Sequence, residues 1–363
     1  MRVLHVDSGR DWRGGQRQVF LLAEGLRASG YEPLVVAPPG SPLLHRLRAA
    51  GLAAAGVRMR GEWDLPAARR IRRLATTWRP DIVHAHDARA HALALAALLA
   101  RETPLVVTRR VTFAPSSAGL KYGRRVARFI AISHAVRDAM VDGGIYPDRI
   151  SVVHSGVPIP TVTSARDWRA ECGWPPDAVI CGIVGAMSAE KGVELLGDVA
   201  RRMPPDACAL ARLVFLGGRG EGRCTVGGME SYRAGFVDEV HAAMAGLDLL
   251  WHPARAEGLG TAVIDAMALG VPPIAFAVGG LPELIEHERN GILVTAGDTA
   301  GFARAVARLV VDRDARSHLA AAGPARAAGF GVGPMVDGTD GVYRSLLGPG
   351  TAEAGLNPSR PSG

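Results

Sequence analysis

EGLGTAVIDAMALGVPPIAFAVGGLPEL, residues 257–284, passes from an acid in a Gly-flanked turn, through a helix, into a buried strand. Residues 261–269 have helical composition, Gly270 is a fitting cap, and 271–278 reads as a strand buried on both faces. The first amides of a helix have no partner inside it, and the aligned peptide dipoles add partial positive charge there. A phosphate arriving beside Gly258, Leu259 and Gly260 would therefore be held. Ordinary α/β packing also produces a turn, a helix and a strand with two acids, Glu257 and Asp265, at the rim, so this stretch needs the rest of the chain.

Outward from it, strand alternates with helix in both directions. At 363 residues the chain suits two domains of ordinary size, each with its own core. The N-terminal half opens with a strand at 2–6, the Gly-rich loop DSGRDWRGGQ, and a helix from about 16 to 28 with Val19, Leu22, Ala23 and Leu26 on one face. Gly14 and Gly15 let the backbone approach a ligand closely, although their spacing is not the dinucleotide fingerprint. Helix 66–78 leads into DIVHAHD, a strand that delivers His86 and Asp87 to its carboxyl end, where open parallel sheets bind ligands. The next strand, 105–108, ends on Arg109 and Arg110, either binders of an anionic acceptor or solvated. Ser133 follows a strand at 129–132 as a helix N-cap. SGVPIPTVTS, after a strand at 150–154, reads as a linker, which divides the chain into domains at 1–160 and 161–347. Residues 348–363, rich in Gly, Pro and Ser, read as a disordered tail.

The second half restarts the alternation. A strand at 179–184 is followed by the loop GAMSAEKG and a helix at 193–203; a strand at 212–216 ends in GGRGEGR; and 247–252 is the strand that delivers Glu257. Beyond the opening stretch come a strand at 292–294, a helix at 299–309 and a last helix near 342–347, which has the option of packing back on the N-terminal domain. Lys191 stands out. Only it and Lys121 are lysines beside 40 arginines, so a loop lysine here signals a demand for a compact ammonium.

The formal charge of +7 suits an anionic partner, but the arginines are scattered and lack interleaved aromatics, which argues against nucleic acid. A compositional bias, with 40 arginines beside abundant alanine and glycine, produces such a charge as readily. The arginine pairs of helix 66–78 either face a membrane or form a solvated helix face. Cys172, Cys181, Cys208 and Cys224 are too widely spaced for a metal-ligand pattern and read as reduced thiols. No signal-peptide core opens the chain, and the apolar run at 91–100 is far shorter than the ~20 residues of a membrane span. A cytoplasmic protein is expected, at most peripheral at the inner face of the membrane.

Taken in order, the GGQ loop, DIVHAHD, GAMSAEKG, EGLG eight residues before an acid, GGLPEL and NGILV resemble the retaining glycosyltransferases of family 4 over nearly the whole chain. That resemblance implies an α/β GT-B fold, two Rossmann-like domains facing each other across a cleft, the first for the acceptor and the second for a nucleotide-sugar donor. It implies Lys191 on the donor diphosphate, Glu257 on the sugar hydroxyls, and Gly258, Leu259 and Gly260 facing sugar and phosphates. Asp265 falls on the ribose diol, Gly14 and Gly15 close over the phosphates, and His86 lies near the reacting sugar. Two positions depart from the family. It usually has Glu where this chain has Asp265, and Arg where this chain has Ala186. Arg219 or Arg223 is a candidate to replace that cation. Segment 217–234, unusually Gly-rich for the family, is left without a local assignment.

The expectation is a metal-independent transferase without a cofactor, moving a sugar from a nucleotide diphosphate to an acceptor hydroxyl with retention. Saccharide or lipid-linked acceptors of the cell envelope are the family's common ones. A GT-B epimerase or phosphorylase, and a nucleotide-sugar-binding protein impaired in catalysis, are the alternatives.

Overall fold

The computed structural model describes residues 1–99, 101–115, 121–160 and 162–347; the tail expected at 348–363 lies outside them. The chain divides into two compact units. Unit 1 comprises residues 1–132, 137–156 and the chain from Val332; unit 2 comprises 133–136 and 157–331.

Unit 1 begins with β1 (Arg2–Val6), α1 (Gly14–Ala28), β2 (Glu32–Ala37), α2 (Pro42–Ala49), β3 (Ala53–Gly56) and α3 (Leu65–Trp78). It continues with β4 (Ile82–Ala85), α4 (Ala88–Ala97), β5 (Leu105–Arg109), β6 (Arg128–Ala131), α5 (His134–Asp142) and β7 (Ile150–Val152). Its seven strands lie in the order β3-β2-β1-β4-β5-β6-β7, all parallel. Helix starts are set by short polar side chains accepting from free first-turn amides. Ser41 accepts from Leu44, Asp64 from Ala67, Asp87 from Arg89 and Ala90, and Ser133 from Val136, as its position after β6 predicts. The predicted face of α1 is buried and serves two clusters. Val19 and Ala23 meet Val35, Leu43 and Leu47, while Leu22 and Leu26 meet Val3, Ile82 and Val106.

Unit 2 runs through α6 (Trp168–Cys172), β8 (Val179–Val184), α7 (Leu196–Arg202), α8 (Pro205–Leu210), β9 (Ala211–Leu216), β10 (Gly222–Val226), β11 (Met229–Arg233) and α9 (Val240–Ala245). Then come β12 (Leu249–His252), α10 (Thr261–Ala268), β13 (Pro273–Phe276), α11 (Leu281–Leu284), β14 (Ile292–Val294), α12 (Thr299–Val311) and α13 (Arg313–Ala328). The sheet order is β10-β11-β9-β8-β12-β13-β14, parallel except for the β10–β11 hairpin at the edge. Its core packs Val179, Ile183, Leu213, Phe215, Trp251 and Phe276 against Leu196, Val199, Phe302 and Val306 of α7 and α12. The chain then returns to unit 1 as α14 (Val332–Leu347), whose Met335, Val336, Val342 and Tyr343 complete the cluster around Leu22 and Leu26.

Several expected boundaries move. The strand expected at 271–278 shrinks to β13, which opens on Pro273; Pro272 before it lacks the N–H that a ladder needs. The helix expected at 193–203 opens with a single 3-10 turn, Val193–Leu195, before α7. The last helix starts ten residues earlier than expected, and α13 was not foreseen at all. Among the described residues no helix is long and apolar enough to cross a membrane.

In each sheet the strand order reverses once beside the first strand: between β1 and β4 in unit 1, and between β8 and β12 in unit 2. Loops leaving the two strands there diverge to opposite faces and open a crevice between them. GGQ follows β1 and His86 follows β4; the Lys191 loop follows β8 and Glu257 follows β12.

Candidate active site

In unit 2 the loop after β8 folds into a one-turn 3-10 helix, Ala189–Lys191, and turns at Gly192. It is laced to the chain leaving β12: Arg255 N donates to the Glu190 carbonyl at 2.9 Å, and the Arg255 guanidinium pairs with Glu194 at 2.7 Å. Lys191 Nζ thereby lies 2.5 Å from Glu257 Oε2, and His252 Nε2, on the last residue of β12, lies 2.9 Å from the same oxygen. Burial pushes the Glu257 carboxyl up, but the hydrogen bonds and charges of His252 and Lys191 together outweigh it and hold the group at about 2. The Glu257 side chain is 15% exposed and that of Lys191 28%, so a ligand can reach both.

Behind Glu257 the backbone is packed tightly. Gly279 has φ +54°, and a Cβ on it would fall 1.7 Å from the Glu257 carbonyl oxygen, so the GG of GGLPEL is what lets the two turns nest. Gly260 precedes α10 in the left-handed region, at φ +102°, and no side chain caps this helix. Its leading amides stand where the reading of residues 257–284 expects an anion to be held. At the other end Gly270, at φ +70°, closes α10 as expected. Asp265, in the second turn, is only 4% exposed, and its Oδ1 lies 3.1 Å from His241 Nε2.

Ala186 lies where the loops after β8 and β9 meet. Gly217 approaches the Gly185 carbonyl so closely that a Cβ would come within 2.3 Å, and one on Gly218 would meet the Met187 side chain at 2.7 Å. Arg219 follows directly and is exposed. Arg223, the other candidate replacement, lies on β10 and donates to the Cys172 carbonyl, which removes it from this loop.

Unit 1 builds a different environment at its own reversal. Asp7, the residue after β1, is 1% exposed; its carboxylate accepts from Gly9 N at 2.9 Å and from Gln16 Nε2 at 3.2 Å. It thus ties both ends of the loop that carries Gly14 and Gly15. Burial, then the nearby Asp87, raises its carboxyl to about 6, against the bonds to Gly9 and Gln16 and the charge of Arg110. Asp87 accepts from Ser8 N and Oγ, both at 2.6 Å, as well as capping α4. These loops line an open cavity of ≈ 540 Å³ together with Arg10, Asp11, Arg13, Glu62 and Arg89.

His86 is 3% exposed and belongs to a group of three imidazoles. Its Nε2 lies 2.9 Å from His5 Nδ1, and its ring lies 4.1 Å from that of His84. His84 is bonded on both nitrogens, to Tyr343 Oη at 2.6 Å and to Thr108 Oγ1 at 2.7 Å. Burial drives all three well below the usual histidine range, His5 to about 3, so they are neutral. His5 Nε2 and His86 Nδ1 are left as the buried ring nitrogens without a partner in this group. The three rings bring nitrogens within 4.8 Å of one another, the only metal-like grouping among the described residues, but His84 has no lone pair to spare.

The arginines after β5 are engaged internally. Arg109 donates to Tyr122 Oη at 3.0 Å and to the Phe113 carbonyl, and Arg110 runs inward beneath Gly15 toward Asp7 and Asp87, its own value lowered to about 10 by burial. Sequence reasoning placed the strand-end residues but missed their partners. His252, five residues before Glu257 at a strand end, carried a readable signal; Asp7, Gln16 and Tyr343 carried none without the fold.

Two doubly wound α/β units, each with its candidate site residues at the strand-order reversal, define the GT-B class. The model of Glycosyltransferase Family 4 matches residues 12–159, and that of Glycosyl transferases group 1 matches 178–312. The chain belongs to glycosyltransferase family 4. It is 32% identical over 223 residues to the D-inositol 3-phosphate glycosyltransferase 1 of Catenulispora acidiphila, covering 56% of this chain and 53% of that one. It is 29% identical over 293 residues to the 2-deoxystreptamine N-acetyl-D-glucosaminyltransferase of Streptomyces fradiae, covering 69% and 68%. The chain spans about half the length of the inositol phosphate glycosyltransferases first among its curated relatives. Among solved structures, Anabaena HepE in complex with UDP and glucose superposes with a TM-score of 0.82 at 20% identity, over 95% of this chain and 100% of that one.

Proposed function

We infer that this protein transfers a glycosyl group from a nucleoside diphosphate sugar to an acceptor hydroxyl with retention of anomeric configuration. The observation that carries this reading is the Lys191–Glu257–His252 cluster at the strand-order reversal of unit 2. A sugar diphosphate needs an acceptor group for its hydroxyls and a cation for the charge that grows on the departing phosphate. Ionised Glu257 supplies the first and Lys191 the second, with the α10 amides beside them. Donor binding draws Lys191 from Glu257 toward the diphosphate, and Asp265 takes the ribose hydroxyls.

In the transfer step the bond from the anomeric carbon to the phosphate oxygen breaks while the acceptor oxygen bonds on the same face. The acceptor proton passes to the departing phosphate, so the step invokes neither a separate base nor a metal. Acceptor recognition is assigned to unit 1, with His86 near the reacting sugar and Gly14 and Gly15 along the phosphates. Two relatives are named for the cyclitols inositol phosphate and 2-deoxystreptamine, and HepE was crystallised with UDP. UDP-sugars, with a cyclitol or saccharide hydroxyl, are therefore the substrates to test first. A lipid-linked or cell-envelope acceptor, and a place at the inner face of a membrane, belong to the same proposal.

The test is a panel of donors and acceptors with the anomeric configuration of the product read by NMR. Retention is expected, with turnover reduced on the order of 10²–10³-fold in Lys191→Ala and Glu257→Ala. Full turnover in both variants, an inverted product, donor epimerisation without acceptor, or tight donor binding with no transfer at all would each overturn the reading.

A further inference from the structure

Side chains two apart on a strand share a face, so His84 and His86 of DIVHAHD lie on one side of the sheet. His5 stands opposite His84 in the parallel pairing of β1 with β4, which brings the third imidazole to the same face. The backbone N–H of His86 donates to the Val6 carbonyl at 3.0 Å and pins the residue to β1. His84 is bonded away from the other two, to Tyr343 and Thr108. His5 and His86 are bonded to each other, Nδ1 to Nε2 at 2.9 Å. The remaining nitrogen of each, His5 Nε2 and His86 Nδ1, is buried and has no partner among the described residues.

A neutral imidazole carries one N–H and one lone pair, so the bond between the two rings sets both tautomers at once. Both rings are neutral: burial takes His5 to about 3, and burial, then the neighbouring rings and Arg110, hold His86 low. If His5 Nδ1–H donates, His86 keeps its N–H on Nδ1 and His5 is left with a lone pair on Nε2. If His86 Nε2–H donates, the bare N–H falls on His5 Nε2 instead. A buried donor without an acceptor forfeits its hydration, so the two arrangements differ in whether that N–H can be satisfied. On His5 it is sealed inside β1, between β2 and β4, on a residue of 0% exposure. On His86 it stands at the end of β4, on the only one of the three residues with any surface, next to Asp87 and Ala88 of the open cavity. A ligand oxygen can accept from it there.

We propose that His5 is a positioning residue that fixes His86 in its Nδ1–H tautomer, so that His86 meets the transferred sugar as a hydrogen-bond donor to one of its oxygens. This rests on the placement of His86 beside the reacting sugar. With Nε2 occupied by His5, His86 has no lone pair free to act as a base. The N–H stays on the imidazole throughout transfer, and the acceptor proton still passes to the departing phosphate. The pairing also accounts for a histidine in RVLHV, where an apolar side chain would fill the same strand position.

The experiment begins with the ring nitrogens of the full chain, read at neutral pH by long-range proton–nitrogen NMR correlation and assigned through His5→Asn and His86→Ala. A proton on His86 Nδ1 and none on His5 Nε2 is expected; the reverse arrangement, or a doubly protonated ring in either residue, overturns the proposal. This reading needs neither donor nor acceptor. In kinetics His5→Leu is expected to lower kcat about tenfold or more, the equivalent of one lost hydrogen bond. UDP affinity by calorimetry is expected to stay unchanged, since UDP carries no transferred sugar. His5→Asn, whose amide N–H stands in for Nδ1–H, is expected to recover most of the loss, which a packing role would not allow because Asn fills an apolar site worse than Leu. Circular dichroism verifies that each variant folds. Undiminished kcat in His5→Leu, no recovery in His5→Asn, or UDP affinity falling in step with turnover would each overturn the proposal. Full turnover in His86→Ala, with the expected tautomer in the parent, would overturn the placement of His86 beside the sugar and with it the use of this N–H.

Discussion

The carbonyl oxygen of Pro253 lies 1.9 Å from the point where a Cβ on Gly192 would stand, and Gly192 holds φ +70°. This contact lets the Lys191 loop lie flat against the chain leaving β12. Gly192→Ala combines left-handed strain with a clash against backbone that cannot move aside. It is expected to cost on the order of 1–3 kcal/mol and to separate Lys191 from Glu257. Denaturant titration and donor affinity by calorimetry read the two effects; unchanged donor affinity would show that the loop does not need this contact.

Two buried carboxyls respond to pH with opposite sign. Glu257 is held at about 2, below its ordinary 4.5, so its ionised form contributes stability that is fully present above 4.5 and is lost as pH falls toward 2. Asp7 is raised to about 6 from 3.8, so unfolding releases its proton across that interval and stability falls as pH rises through it. Asp7→Asn is therefore expected to stabilise the protein at pH 7.5 by an amount on the order of 2–3 kcal/mol, and to match the parent near pH 4. Unfolding free energies from pH 4 to 7.5 check this; a variant less stable at pH 7.5 contradicts it.

Tyr343 supplies one of the two hydrogen bonds of His84, which has no route to water. Tyr343→Phe leaves a buried ring nitrogen unsatisfied and is expected to cost about 1–3 kcal/mol. Thr108→Val removes the other partner of the same ring and is expected to act non-additively with it in a double-mutant cycle. Additive losses would mean that His84 re-pairs.

Arg219 emerges from the Gly217–Gly218 turn beside Ala186, the position at which the family resemblance implies an arginine. Arg219→Ala is expected to weaken UDP binding roughly 10- to 100-fold, the equivalent of one charge-assisted contact. Ala186→Arg introduced into that variant is expected to recover part of the loss. Equal affinity in the parent and Arg219→Ala, measured by calorimetry, would remove Arg219 from the donor site.

Much of this architecture was legible because strand-end motifs depend on local sequence. Glycines at forced turns, a loop lysine in an arginine-rich chain and the alternation of strand and helix all appear in one dimension. What escaped was built from small residues or from distant ones. The hairpin of β10 and β11 turns on Gly227 and Gly228, at φ +57° and +96°, the pair of left-handed residues that a two-residue turn requires, yet its short strands are half exposed and lack an apolar run. α13 buries Leu319, Gly323 and Ala327, and Gly323 lies so close to the Met267 backbone that a Cβ would come within 2.7 Å of its carbonyl oxygen. Close approach through small side chains leaves no period of large apolar residues to read. The hydrogen-bond partners of His86 and His84 come from β1, β5 and α14, and only the tertiary fold brings them together.

The position of α14 governs the order in which this polypeptide matures. Met335, Val336, Val342 and Tyr343 fill the core around Leu22, Leu26 and Ile82, and Tyr31 bonds to Asp340, so unit 1 is begun before unit 2 and finished after it. Residues 157–331 form one nearly uninterrupted stretch that can condense as soon as it emerges, whereas the opening 156 residues wait with an uncovered apolar face. A nascent chain halted at residue 331 is expected to yield a protease-resistant fragment from its later half and a labile one from its earlier half. The strands of unit 1 depend, for their completion, on a helix translated after the whole of unit 2.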